Sequence, residues 1–64
     1  MGNNIRKIRK EKGITIEELS ELSGLSKVYI YHLENGTRTN PSYEVMRKIS
    51  IGLARTIEDV FLKH

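Results

Sequence analysis

Gly13 is followed by Thr15, Gly24 by Ser26 and, across a polar loop, Gly36 by Ser42. Each glycine suits the left-handed residue that closes a helix, and each hydroxyl suits the cap that opens the next one. Stop and start signals this close together restrict the chain to short helices. No run between them alternates apolar and polar residues as a strand would. The expectation is an all-α fold of five short helices.

Their limits follow from the same signals. Asn3 or Asn4 caps a first helix that runs to Lys12. Thr15-Ile16-Glu17-Glu18 has the form of a capping box and opens a second helix that ends at Ser23. Ser26 caps a third, closed by Asn35-Gly36. Either Asn40, with Pro41 as the first helical residue, or Ser42 caps a fourth that reaches about Leu53. Thr56 begins the fifth, through Phe61. At about 100° per residue, Ile16, Leu19 and Leu22 share a side with Ser20 and Ser23. Val45, Met46, Ile49 and Leu53 form a second stripe, and Ile57, Val60 and Phe61 a third. These stripes are expected to make the core.

The chain has 64 residues and no cysteine, so neither disulfides nor thiolate metal sites can staple it. One domain over residues 1–64 is expected, near the lower size limit for independent folding. No stretch approaches the roughly 20 apolar residues of a membrane span. The opening MGNNIRK has no apolar signal region, and a cytoplasmic protein is expected. His32 and His64 are the only histidines. Without metal-ligand spacing or a glycine-rich phosphate loop, no enzyme, cofactor or metal is expected.

Charge points elsewhere. The net formal charge is +3 and the isoelectric point about 9.5, values that suit a nucleic-acid partner. Arg6, Lys7, Arg9, Lys10 and Lys12 crowd the start, and Glu17, Glu18 and Glu21 follow. One basic and one acidic face are expected.

The third helix carries the most specific signal. With Lys27 at 0°, Tyr29, Leu33 and Ile30 fall at roughly 200°, 240° and 300°. Lys27, Tyr31, Asn35, Val28 and His32 fall at roughly 0°, 40°, 80°, 100° and 140°. One arc is apolar. The other mixes a cation, an amide, an imidazole and apolar groups, which suits base edges better than it suits plain solvation. Two capped helices joined by Ser23-Gly24-Leu25-Ser26, over about residues 15–35, follow the helix-turn-helix plan.

The ordered set Ile5-x-x-Ile8-Arg9, Gly13-Ile14-Thr15, Glu18-Leu19-Ser20, Gly24-Leu25-Ser26, Ile30-x-x-Leu33-Glu34-Asn35-Gly36, Pro41-Ser42, Ile49, Leu53 and Thr56-Ile57-Glu58-Asp59 resembles the phage repressor and Cro-type helix-turn-helix domains. The resemblance implies a lambda-repressor-like domain that reads a double-stranded DNA operator as a homodimer and regulates transcription. The third helix would be the recognition helix, with Lys27, Val28, Tyr31 and His32 toward the bases. Arg9, Ile16 (through its amide), Ser26, Tyr29, Asn35, Thr37 and Arg38 would meet phosphates. It further implies an ion pair between Arg9 and Glu34. Ile51 and Leu62, apolar but outside the stripes, are assigned to a dimer seam. The same fold also serves antitoxins and adaptors whose working surface binds a protein partner. This sequence departs from the family pattern at Ile16, where glutamine is usual, at Ala54, usually glycine, and at Arg55, usually apolar. The turn before Thr56 is therefore expected to be built differently.

Overall fold

The computed structural model describes residues 3–62. Five helices follow one another: α1 (Ile5–Glu11), α2 (Ile16–Ser23), α3 (Lys27–Asn35), α4 (Tyr43–Leu53) and α5 (Glu58–Leu62), the last wound as a π-helix. The capping chemistry is local and largely as expected. Thr15 and Glu18 form the reciprocal capping box on α2. The Ser26 and Ser42 hydroxyls accept from the Tyr29 and Val45 amides. The Asn40–Pro41 alternative for α4 does not occur; Asn40 takes a positive φ of 53° within the loop.

Asn4 holds the N-cap position of α1 but makes no side-chain capping bond. The Asn3 side chain accepts from the Ile5 amide and donates to the Leu33 carbonyl at 3.0 Å. Asn4 donates through its backbone to Val60 and through its amide side chain to Asp59. The start of α1 is thereby tied to the end of α3 and to α5.

Ile5, Ile8, Leu19, Ile30, Leu33, Ile49, Leu53, Val60 and Phe61 form the buried core. Around it α2 packs along α4 and meets α3 at a corner, while α1 lies against α4 and α5. Leu22 departs from its expected place: it is 59% exposed, and Ser23 is buried instead. A Cβ added to Gly52 would come within 3.0 Å of Leu19 Cδ1 and 3.5 Å of both Leu22 Cβ and Ser23 Cβ. Where α2 and α4 approach so closely, glycine suits α4, and Leu22 meets the seam through its Cβ while most of its side chain stays exposed. On the outer side of α4, Arg47 forks onto Glu44 and, by that hydrogen bond and its charge, draws the carboxyl below its ordinary range. That pair is open to water and adds little to stability.

The turn after α4 corrects the expectation. Ala54 adopts the left-handed conformation that a glycine would take, at φ 57° and ψ 41°. Its amide bonds back to Ile51 and the Arg55 amide to Ser50. The turn is built in the usual way despite the missing glycine, because these bonds hold it. Arg55, in place of an apolar residue, reaches Glu11 of α1 at 3.5 Å. Replacing Ala54 with glycine should therefore stabilise the fold by about 0.5–1 kcal/mol, since the steric cost of a left-handed Cβ outweighs the added chain entropy. Urea unfolding of A54G checks this, and a loss of stability would contradict the strained turn.

Candidate nucleic-acid interface

The corner between α2 and α3 is set by short-range chemistry. Gly24 stands at φ 78°, Ser23 Oγ accepts from the Leu25 amide, and the Ser20 hydroxyl donates to the Leu25 carbonyl. Leu25 is half-buried against the core. Ile30 and Leu33 of α3 are buried and Tyr29 half-buried, so this arc faces inward. Val28 is 64% and Tyr31 54% exposed on the opposite arc, beside exposed Lys27 and Asn35. The rotation read from sequence holds for these residues.

His32 lies at the margin. It is half-buried, and its Nδ1 is enclosed without a hydrogen-bond partner. At roughly 140° it stands nearer the inward Tyr29 than Lys27 does, so outward contact falls to the remainder of its ring. That ring is tilted against Tyr31, with centroids 5.9 Å apart.

Arg9 joins three parts of the chain. Its Nε donates to Glu34 Oε2 at 2.8 Å and its Nη2 to Glu34 Oε1 at 3.2 Å. Nη1 donates to the Ile14 carbonyl at 3.0 Å. The two side chains are only 12% and 5% exposed. A planar guanidinium matches a carboxylate in this two-bond manner, and a lysine would not.

Beyond the pair opens a cleft of about 410 Å³, with Arg6 and Lys10 of α1 and Tyr31 and Asn35 of α3 among its lining. Ile16 reaches into the same cleft. Past α3, the Asn35 side chain accepts from the Thr37 amide at 2.8 Å. Gly36 closes the helix in a left-handed conformation, and the Arg38 guanidinium lies 5.2 Å from the Tyr29 ring centroid. Ser26, Tyr29, Asn35, Thr37 and Arg38 thus occupy the two ends of α3, while Arg9 and Ile16 sit beside its outer face. Ile51 and Leu62 are 61% and 66% exposed, away from the core.

Three contributors were not singled out from the sequence. Arg6 and Lys10 were visible only as part of a basic run. Glu17, exposed with the other acidic residues of α2, comes within 3.9 Å of Lys27 Nζ at the mouth of the corner. Only the crossing of α2 and α3 brings them together.

A family model for the helix-turn-helix matches residues 5–60. The chain belongs to the helix-turn-helix family of Cro/C1 type. The transcriptional regulator SlrR of Bacillus subtilis is 39% identical over 61 residues, which is 95% of this chain and 40% of SlrR. SinR of the same organism is 40% identical over 50 residues, 78% of this chain and 45% of SinR. The chain thus spans less than half the length of these two relatives. Among solved structures, the restriction-modification controller C.AhdI of Aeromonas hydrophila superposes with a TM-score of 0.82 at 32% identity, covering 88% of this chain and 83% of that one. SinR solved in complex with DNA gives 0.81 at 36% identity, covering 86% and 87%.

Within this helix-turn-helix domain no helix of the described residues is long and apolar enough to cross a membrane. The described residues also contain no cluster of three metal-ligating side chains. Truncating the mostly buried Arg9 leaves Glu34 charged and unpaired, so R9A should cost about 3 kcal/mol, a large share of the stability of so small a domain. Arg9→Lys should recover only part. Chemical denaturation measures both, and a loss below about 1 kcal/mol would show the pair to be dispensable.

Proposed function

We propose that this chain is a sequence-specific double-stranded DNA-binding transcriptional regulator, acting as a repressor from a homodimer on a pseudo-palindromic operator. The observation that carries the reading is the outward arc of α3. Lys27, Val28 and Tyr31 stand exposed there, next to a cleft lined by Arg6, Lys10 and Asn35. An exposed helix face flanked by cations is what a major groove bordered by phosphates requires. The regulators and controllers named above support it.

In this reading the described helices form a single DNA-binding domain. Lys27, Val28, Tyr31 and the outer part of His32 read base edges. Ser26, Tyr29, Asn35, Thr37 and Arg38 meet phosphates at the two ends of α3. The Ile16 amide does so at the start of α2, where a helix N-terminus favours an anion. Arg9 has five N–H donors, more than its three bonds use, and supports a phosphate from the cleft. Substrate turnover has no part in this reading, and a cytoplasmic setting follows from it.

Random-duplex selection with wild type and K27A tests the assignment. Losing Lys27 should relax preference at one position, at about 1–3 kcal/mol, whereas R38A should weaken all sites evenly and reduce the salt slope by about 1. Uniform weakening by K27A would demote Lys27 to a phosphate contact.

Ile51 and Leu62 supply the dimer seam, which sets two recognition helices about 34 Å apart. Either Ile51→Glu or Leu62→Glu should shift sedimentation from dimer to monomer. Unchanged sedimentation in both variants would remove the seam from this face.

A further inference from the structure

Ile16, Val28 and Tyr31 share a second, shallower depression of about 320 Å³, with Glu17 and Lys27 also among its lining. Ile16 and Tyr31 line both this depression and the basic cleft, so the two adjoin. Val28 and Tyr31 are more than half exposed. Core packing therefore does not explain why residues at the leading end of α3 are apolar.

The occupant has to be apolar, small and carried by something anionic. Lys27 and Glu17 at its edge offset each other, while the adjoining cleft carries Arg6, Arg9 and Lys10 against the single carboxylate of Glu34, so that side borders the depression with net positive charge. On the major-groove edges of the four ordinary bases, the one apolar group is the C5-methyl of thymine. Lys27 Nζ, held within 3.9 Å of the Glu17 carboxylate, is placed to donate to the O4 acceptor that thymine carries beside that methyl. We propose that the Ile16–Val28–Tyr31 depression is a seat for the C5-methyl of a pyrimidine, supplied by thymine or, in modified DNA, by 5-methylcytosine. This rests on the DNA-reading function above and assigns Ile16 a side-chain role there. The family's usual glutamine would bring a polar amide where a methyl seat needs hydrocarbon.

The seat is tested on the best duplex from random selection, by replacing each deoxythymidine in turn with deoxyuridine. That exchange removes the methyl and keeps O4 and base pairing. Substitution at one position should weaken binding about fourfold, the equivalent of one buried methyl group, with other positions changing less than about twofold. In V28A that sensitive position should fall below about twofold as well. Val28 is exposed, so V28A should keep the wild-type circular dichroism and melting curve.

Placing cytosine or 5-methylcytosine at the sensitive position separates the two sources. Recovery by the methylated base supports a seat that takes either methyl, and no recovery confines it to thymine. A tight, sequence-specific duplex in which every deoxyuridine is tolerated would overturn the seat and leave DNA reading intact. Full fourfold sensitivity retained in V28A would overturn the seat in the same way. Selection that returns no preferred sequence would remove both.

Discussion

The fork of Arg9 on Glu34 is the interaction on which the rest of the interface depends. It is the point where α1, the loop before α2 and α3 are held in one arrangement. Hydrophobic contact among Ile5, Ile30 and Leu33 supplies cohesion without direction. A bidentate, mostly desolvated ion pair adds direction, because guanidinium and carboxylate planes tolerate little rotation. The pair also spares two charges from burial alone, which a core this size could not accommodate. Its place beside the basic cleft would link folding to binding: the group that orients α3 is adjacent to the surface proposed to meet DNA.

That surface is a product of small local devices. The left-handed Gly24 and the hydroxyls of Ser20, Ser23 and Ser26 turn the chain between α2 and α3 within four residues. Ser26 caps the first turn of α3 through the Tyr29 amide, and the Lys27 and Val28 side chains project outward, Lys27 toward Glu17. At the other end, Gly36 closes the helix and Arg38 rests against Tyr29. Polar groups flank α3 at Ser26 and at Asn35 to Arg38, and Val28 and Tyr31 stand between them on its outer arc, an order that suits phosphates outside and bases within.

The fold is legible to an unusual degree because its signals are short-range. The Thr15–Glu18 box and the Ser26 cap require only residues three apart, and the structure contains them as read. Departures occur where two elements meet. Leu22 has the period of a core residue, yet where α2 meets Gly52 of α4 its Cβ touches the seam and most of its side chain stays exposed. At Ala54 the departure is local: the missing glycine points to an altered turn, but bonds back to Ile51 and Ser50 of α4 hold Ala54 in the left-handed conformation. Rotation alone puts His32 on the reading face, and the body of the domain encloses its Nδ1.

By itself, the sequence determined the number of helices, most of their caps and which arc of α3 turns outward, since each depends on spacing along one strand of backbone. Only the tertiary structure decided that Arg6 and Lys10 join Tyr31 and Asn35 in one cleft, that Glu17 meets Lys27, and that Ile16 closes a depression with Val28 and Tyr31. Those groups lie on different helices. Their distances are set by the crossing of α1, α2 and α3, which no periodicity within a single helix contains.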